Sequence, residues 1–357
     1  MKTTTLAFTL SFTLLAGACV APSDTPPTRT FPSSPVATKT TALAPTVAGG
    51  TRLSGPISHG NLSVFLVHGA DRDAGKRYLT LEEAMEAGKV VVHETGNVQE
   101  LSIENVSGSD EVFVQSGDVV KGGQQDRVLR TDLVLAAGSG KVPIASYCVE
   151  QGRWGSRGDE SAAEFDSSRK QVVGKALKLA AKRGGNQGEV WKEVSANQAA
   201  LGRNLAFETK SVVSPTSLQL TLENEGLKQE TDEYLGKLLP AVEGHDDVVG
   251  FAFAINGELN SAEVYASSSL FRKLWPKLLE ASAVEAIASR GETTTATPPT
   301  AAQVEAALSA SDMGEGTERE LSSRVKLRSL ESETQAVFET VDTETPGGWL
   351  HRSHHFH

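Results

Sequence analysis

The densest run of chemically versatile side chains is the segment 117–127, in which two glycines precede two amides, a carboxylate and a guanidinium. Glycine lets the backbone approach a ligand closely, and glutamine can both donate and accept hydrogen bonds. Gln124 and Arg127 are therefore candidate ligand contacts. The alternative is an ordinary turn between two strands. The segment is not a P-loop, because neither a helix nor a Lys-Ser/Thr pair follows it.

A second polar segment, 148–154, follows a predicted strand in which Cys148 and Glu150 share one face. Cys148 is a candidate nucleophile and Glu150 a candidate general base. A carboxylate beside a thiol raises the pKa of the thiol, and only Arg153 is near enough in sequence to compensate. The alternatives are therefore a buried, inert Cys148 and an ion pair of Glu150 with Arg153 that fixes a turn.

Taken together, the two segments predict a site for a small anionic ligand of the nucleotide type. Two guanidinium groups would bind phosphate or carboxylate, an indole would stack on a ring, and two amides would recognise polar edges. The candidate contacts are Gln124, Arg127, Gln151, Arg153 and Trp154, with Glu150 for a ribose hydroxyl or for proton transfer. The same residues also suit a structural corner. An open cleft would favour a ligand site, and buried, mutually paired polar atoms would favour the corner.

The last nine residues contain half of the eight histidines. If this stretch is extended, His351, His355 and His357 lie on one face, which is the number of protein ligands in a catalytic zinc site. The alternative is a solvated tail that binds metal only adventitiously. No cofactor is assigned.

Residues 1–18 have the charged, apolar and small-residue order of a secretory signal peptide, and their apolar run is too short to span a membrane. Cys19 follows Ala16-Gly17-Ala18, which fits either an ordinary cleavage site or a bacterial lipobox. The lipobox gives Cys19 a use as the lipidated residue. We therefore expect an exported lipoprotein of the cell envelope, in the outer membrane if the cell is Gram-negative.

Composition divides the rest of the chain. Residues 19–53 are rich in Pro, Ser, Thr and Ala and predict a disordered tether, and a similar composition predicts a flexible linker or insertion over 291–317. The main domain is expected over 54–290, with C-terminal strands and the histidine-rich tail over 318–357. The net charge of −11 and the pI near 5.3 leave no basic surface for nucleic acid. The oligomeric state is not predicted.

The apolar pattern predicts an α+β fold. Short alternating runs between residues 61 and 149 favour an antiparallel, sandwich-like N-terminal half, interrupted by one helix with Thr80 as N-cap and Glu83 in a capping box. Helical periodicity follows over 168–183, 188–201 and 218–242. Asn256-Gly257 then predicts a β-hairpin, and a further helix contains Pro276, where a kink or the start of the helix is expected.

Three stretches of the sequence resemble the ARPP-1 domain, the ARG and rhodanese-phosphatase superfamily associated domain. They are 79–94, 116–127 and 148–154, and the stretches 250–257 and 269–278 resemble the later half of that family. The resemblance covers roughly Ser54 to Ala288. It implies no firmly assigned activity, but makes ADP-ribose or another phosphorylated nucleotide derivative a ligand class to test. The other expectations are a hydrolase using Glu150 or Cys148 and a structural envelope protein without a ligand.

Overall fold

The computed structural model describes residues 51–183, 186–291, 297–310, 316–346 and 348–357, without the side chains of 169–172. The predicted signal peptide, Cys19 and nearly all of the predicted tether lie outside the described residues. The described part forms one compact unit. No helix in it is long and apolar enough to cross a membrane.

An eight-stranded antiparallel sheet joins the two ends of the described chain. Its order is β1-β2-β12-β13-β17-β16-β15-β14. The strands are β1 (Arg52–His59), β2 (Leu62–His68), β12 (Val248–Ile255), β13 (Glu258–Tyr265), β14 (Gly316–Glu320), β15 (Val325–Glu331), β16 (Gln335–Asp342) and β17 (Trp349–Phe356). Because β17 lies between β13 and β16, the C-terminal strands belong to the same sheet as the predicted main domain. The histidine-rich end is therefore a buried central strand and not a solvated tail.

The remaining strands form two smaller sheets. One has six strands in the order β11-β7-β8-β10-β5-β4, and a bridge between His93 and Glu164 brings its two edges together into a nearly closed, barrel-like sheet. The other is β3-β6-β9. The strands are β3 (Tyr78–Thr80), β4 (Val90–Glu94), β5 (Glu100–Asn105), β6 (Glu111–Val114), β7 (Asp118–Gly122), β8 (Arg127–Leu129), β9 (Leu133–Leu135), β10 (Gly140–Cys148) and β11 (Phe165–Val172).

Seven α-helices complete the described fold. They are α1 (Leu81–Glu86), α2 (Lys175–Lys182), α3 (Gln187–Leu205), α4 (Leu218–Leu222), α5 (Glu225–Leu238), α6 (Ser268–Ala288) and α7 (Ala301–Ala310), with a 3-10 helix at Leu239–Val242. The largest apolar core lies between α6 and the eight-stranded sheet, where Phe251 meets Phe271 and Trp275 at ring-centroid distances of 6.3 and 5.1 Å. Such aromatic contacts add to the free energy gained by burying apolar surface.

The prediction of an α+β fold rich in antiparallel strands is confirmed, and the sandwich-like description is roughly consistent with the sheets. Thr80 caps α1 and forms the predicted capping box with Glu83. The hairpin at Asn256-Gly257 joins β12 to β13 as expected.

The structure differs from the local predictions in three places. The helix predicted over 168–183 begins only at Lys175, because residues 165–172 pair with β7 as strand β11. Pro276 does not mark the start of α6, since the helix runs from Ser268 to Ala288, and the alternative of a kink at Pro276 stays a prediction. In addition, α7 lies within the range predicted as a flexible linker, and its Val304 and Leu308 are fully buried.

Candidate functional site

The two predicted polar segments do meet in space, around two buried carboxylates. Asp126 and Glu150 are both fully inaccessible to solvent. Arg153 Nε donates to Glu150 Oε2 at 2.7 Å, and Arg157 Nη1 donates to Asp126 Oδ2 at 3.0 Å and to Glu150 Oε1 at 3.3 Å. We call Asp126, Glu150, Arg153 and Arg157 the ionic network. Its two positive and two negative charges balance.

Arg153 has no donor left for a ligand. Its Nε binds Glu150, its Nη1 donates to the carbonyl oxygens of Gly123 and Gly155 at 3.1 and 2.6 Å, and its Nη2 donates to Gly122 O and Asp126 Oδ1 at 3.1 and 3.3 Å. These five bonds use all five N–H groups of a guanidinium. Recognition of a phosphate by Arg153 would require several of these bonds to break.

Arg157 was not singled out from the sequence, although it is the centre of the ionic network. Its guanidinium binds Asp126 through both terminal nitrogens, and it also donates to Glu160 and Ser217. Burial alone would lower the pKa of Arg157, but the charge and hydrogen bonds of Asp126 outweigh that effect and hold the pKa above its usual value. The one signal in the sequence was its position four residues after Arg153 in the same polar loop.

Two serine hydroxyl groups donate further hydrogen bonds to the carboxylates of Glu150 and Asp126. Ser214 Oγ donates to Glu150 Oε1 at 2.6 Å, and Ser217 Oγ donates to Asp126 Oδ2 at 2.9 Å. Ser217 is also the N-cap of α4, where it accepts from the backbone N–H of Leu220. The network therefore connects the turn after β7, the loop after β10 and the start of α4.

Gly122 and Gly123, the two glycines of the first polar segment, allow the backbone to lie close to Arg153. Gly122 and Gly123 have φ angles of 110° and 54°, which favour glycine. A Cβ at Gly123 would clash with the ring of Phe165. Their carbonyl oxygens accept from Arg153, so the close approach that glycine permits is made by an arginine of the same chain.

Arg127 lies on the other side of this turn and is less completely satisfied. Its Nη2 donates to Glu94 Oε1 at 3.0 Å and its Nη1 to the carbonyl oxygen of Gln125 at 2.9 Å. Arg127 Nε, Glu94 Oε2 and both side-chain amide atoms of Gln125 are buried without a hydrogen-bond partner in the described part of the chain. Groups of this kind usually bind ordered water.

Cys148 is 1 % exposed at the end of β10, and its Sγ lies 3.9 Å from the carbonyl oxygen of Val98. Burial raises the pKa of its thiol to about 11, although the nearby Arg127 acts in the opposite direction. A thiol with this pKa is almost entirely protonated at neutral pH and is a poor nucleophile. The geometry therefore favours the inert cysteine over the thiol enzyme.

The other predicted contacts do not join the ionic network through their side chains. Trp154 is 59 % exposed, and Gln151 is also on the surface, where its backbone N–H donates to Thr216. Gln124 is half-buried, and its backbone N–H donates to Glu94 Oε1 at 3.1 Å. The side chains proposed for anion binding, stacking and amide recognition therefore do not line one open cleft.

The C-terminal histidines do not converge on a metal site. His351 Nδ1 lies 2.7 Å from Asp132 Oδ2 and its Nε2 lies 2.8 Å from Glu263 Oε2, so its two nitrogens face opposite partners. His355 contacts Ser261 and Ser353, whereas His357 lies at the surface beside Glu331. Burial would lower the pKa of His351, but the two carboxylates raise it above its ordinary value. His351 and His355 are parts of the sheet, and His357 follows its last residue.

An open cleft exists elsewhere, between α2, α3, α4 and α6. Its volume is about 230 Å³, slightly below the range of about 300–1,000 Å³ of typical small-molecule sites. Its lining is largely apolar and includes Leu177, Ala200, Leu218, Leu222, Ala281 and Val284. Its charged residues are Glu193, Glu280, Glu285 and Lys175. We call it the interhelical cleft.

The polar groups of the interhelical cleft are mainly acceptors. Asn197 Oδ1 is buried without a hydrogen-bond partner in the described chain. Lys175 Nζ, the one amine in the lining, donates to the carbonyl oxygen of Phe356 at 3.0 Å. The cleft shares Leu222 and Glu280 with a wider groove whose lining contains eight carboxylates and two lysines. Sequence reasoning missed both surfaces because their residues come from separate helices with no common motif.

A cluster of candidate metal ligands lies at the C-terminal end of β2. Ligand atoms of His68, His245 and Asp247 all lie within 4.8 Å of one another, and no other such group of three is found in the part of the chain that the structure describes.

The fold and these sites define an α+β domain with one internally neutralised ionic network and one open, mainly apolar cleft. The model of the ARG and Rhodanese-Phosphatase-superfamily-associated Protein domain, ARPP-1, matches residues 50–354. The chain therefore belongs to the ARPP-1 family, and the match continues past the predicted domain end at residue 290 to include the C-terminal strands. No curated protein and no solved structure matches the chain.

Proposed function

We propose that this chain is an exported binding domain of the cell envelope, anchored by lipid on Cys19, and that its ligand binds in the interhelical cleft. The ligand would have an apolar body and a cationic or hydrogen-bond-donating group. The observation that supports this proposal is the composition of the cleft, which has an open apolar lining and is bordered by three carboxylates and one lysine. Lys175 is bonded to Phe356 O, and Glu285 accepts from Asn260 and from the backbone N–H of Lys175.

The charge of the cleft selects the class of ligand. Apolar lining favours burial of a hydrocarbon or ring, at about 25 cal/mol per Å² of apolar area. Glu193, Glu280 and the unpartnered Asn197 Oδ1 would accept hydrogen bonds from an ammonium, guanidinium or amide group. An anionic ligand would meet repulsion at the same border.

The small anionic ligand expected from the sequence receives less support. Arg153 and Arg157 are neutralised by Asp126 and Glu150, and the donors of Arg153 are all used. Catalysis by Glu150 receives little support for the same reason, because a carboxylate held by two arginines is a poor proton carrier. The ionic network is better explained as a structural brace.

The arrangement of the chain supports the location. The predicted signal peptide, Cys19 and the predicted tether of about 30 residues precede the domain, which is the order of segments in a lipoprotein with its folded part at a distance from the membrane. An extended tether of this length spans at most about 100 Å.

The test compares matched ligands on matched variants. Calorimetric titration of the full chain with n-octylammonium, with n-octanoate and with ADP-ribose separates cationic amphiphiles from anionic amphiphiles and from nucleotides. Ala196→Trp would fill the interhelical cleft, whereas Ala199→Trp places the same side chain on the same helix outside the cleft lining. Both alanines are exposed, so both variants are expected to fold.

We expect saturable binding of n-octylammonium that Ala196→Trp abolishes and Ala199→Trp preserves, with n-octanoate at least tenfold weaker. Equal affinity for the two amphiphiles would disprove the charge selection. Binding of ADP-ribose alone would restore the anionic ligand, and binding unaffected by Ala196→Trp would exclude the interhelical cleft.

A further inference from the structure

The cluster at the end of β2 combines two imidazoles with a carboxylate on two short stretches of chain. His68 is the last residue of β2 and is 1 % exposed, whereas His245 and Asp247 are exposed in the loop that precedes β12. His68 Nδ1 lies 2.8 Å from Asp247 Oδ1, and the rings of His68 and His245 meet edge to face at a centroid distance of 5.4 Å. From this geometry we propose that His68, His245 and Asp247 bind a divalent transition-metal cation of the zinc type.

The backbone that carries these side chains is held on both sides. Gly69 N–H donates to the carbonyl oxygen of Asp247 at 2.8 Å, which ties the loop to the residue after β2. From α6, Ser268 Oγ donates to Asp246 O at 3.0 Å, and Arg272 donates to the carbonyl oxygen of His245. Because the loop is fixed at three of its carbonyl groups, the ligands do not have to be collected from a disordered segment.

The separation of the ligand atoms requires only side-chain rotation. Tetrahedral zinc with bonds of about 2.0–2.1 Å separates its ligand atoms by roughly 3.3–3.5 Å. In the structure the ligand atoms lie within 4.8 Å of one another, so the largest separation exceeds that of tetrahedral zinc by roughly 1.4 Å at most. His68 supplies the fixed point, the exposed His245 has room to rotate toward it, and Asp247 Oδ1 already lies 2.8 Å from His68 Nδ1.

Ser54 provides a partner for His68 both with and without a metal. Nδ1 lies 2.8 Å from Asp247 Oδ1 and Nε2 lies 2.7 Å from Ser54 Oγ, and in the tautomer with the proton on Nδ1 the second nitrogen accepts from the Ser54 hydroxyl. A cation on Nδ1 requires the ring proton to be on Nε2 instead. The Nε2–H group then donates a hydrogen bond to Ser54 Oγ, whose hydroxyl hydrogen can rotate away. His68 therefore keeps Ser54 as its second partner, which is the arrangement that orients histidine ligands in metal sites.

The ligand types select the metal class. Imidazole favours zinc, copper, nickel and iron, whereas magnesium and calcium favour oxygen ligands. Arg52 Nη2 donates to the second oxygen of Asp247, Oδ2, at 3.0 Å. This guanidinium is half-exposed and leaves Oδ1 available, so it would orient the carboxylate and also lower the affinity through its charge. Three protein ligands at an exposed site leave the fourth position to water.

The test uses the full chain purified without a histidine tag. Titration with Co²⁺ should give the visible absorption of a low-symmetry site at one equivalent, and excess Zn²⁺ should abolish it. Zn²⁺ at a hundred times its dissociation constant should raise Tm by about 4 °C or more. The informative variants are His245→Ala and Asp247→Asn, because both residues are exposed and their loss is not expected to unfold the chain.

The controls are His59→Ala and His357→Ala, which remove partly exposed histidines outside the cluster. We expect the Co²⁺ spectrum to disappear in His245→Ala and Asp247→Asn and to persist in both controls. A spectrum that persists in the first two variants, or that depends on His357, would mean adventitious binding and would overturn the proposal. So would the absence of any spectrum in the unmodified chain.

Discussion

Removal of the Glu150 carboxylate tests whether the ionic network braces the fold. Glu150→Ala deletes the acceptor for Arg153 Nε at 2.7 Å, for Arg157 Nη1 at 3.3 Å and for Ser214 Oγ at 2.6 Å. It leaves Arg153 with Asp126 as its only carboxylate and Arg157 with Asp126 and the partly exposed Glu160, so a negative charge and three hydrogen-bond partners are lost from a site that is nearly inaccessible to water.

The expected loss is large compared with the stability of an average domain. Breaking a buried ion pair by removing one partner destabilises by about 3–5 kcal/mol, and typical free energies of unfolding are about 5–15 kcal/mol. We therefore expect Glu150→Ala to lower the free energy of unfolding by about 4 kcal/mol and Tm by roughly 10 °C. The variant should still be folded at 25 °C.

Urea titration followed by circular dichroism measures this difference, provided that the slope against urea is unchanged between the two proteins. Asp159→Ala is the control, because it removes an exposed carboxylate from the same loop and is expected to change stability by less than about 0.5 kcal/mol. A loss below about 1 kcal/mol for Glu150→Ala would refute the structural role. A gain of ADP-ribose binding in that variant would show that Glu150 masks an anion site.

Three further predictions concern single residues. Because burial raises the pKa of Cys148 to about 11, Ellman's reagent should label this thiol slowly at pH 8 and rapidly in urea, and equal rates would mean that the thiol is accessible. Burial lowers the pKa of His354 to about 3 from 6.5, so the folded state binds fewer protons than the unfolded state below about pH 6.5. Its contribution therefore makes the free energy of unfolding fall as the pH drops from about 6.5, by up to about 1.4 kcal/mol per pH unit, and urea titrations of His354→Gln should show a flatter dependence. Cys19→Ala should abolish incorporation of labelled palmitate and move the chain from the membrane fraction to the soluble fraction, whereas retained label would place the lipid elsewhere.

Local signals in the sequence predicted the elements that depend on local interactions. The capping box of α1 and the hairpin at Asn256-Gly257 are formed within a few residues, and both were found where expected. Strand β11 was taken for a helix because its identity depends on pairing with β7, more than 40 residues earlier in the chain. The periodicity of apolar residues within a segment does not indicate which distant strand the segment pairs with.

The same distinction applies to the candidate site. The sequence indicated the segments 117–127 and 148–154 as parts of one site, and the pairing of β8 with β10 does bring them together, but the burial of their carboxylates was not predicted. That burial depends on Arg157, Ser214 and Ser217, whose side chains complete the hydrogen bonds of the carboxylates from other loops.

The polar C-terminal strand was misjudged for a related reason. Polar residues at the end of a chain usually lie in solvent, but β17 pairs with two strands that supply carboxylates. Glu263 of β13 faces His351, and Glu339 of β16 binds Arg352. Burial of charges on this scale requires such partners, and they are visible only when the sheet order is known.

Because Arg127 and Arg153 are bonded inside the fold, the charge that faces a ligand differs from the positive charge that the two polar segments indicate. The groove that adjoins the interhelical cleft carries eight carboxylates and two lysines, and one of these, Lys121, binds Glu223 at 2.8 Å. Such a surface attracts cations over about one Debye length, roughly 8 Å at physiological ionic strength. The association rate of n-octylammonium, measured by stopped-flow fluorescence, should therefore fall as the salt concentration is raised from about 20 to about 500 mM, a range that shortens the Debye length several-fold. The dissociation rate should change little, because salt does not screen the apolar contacts that hold the bound ligand. An association rate independent of salt would mean that the groove does not contribute to ligand capture.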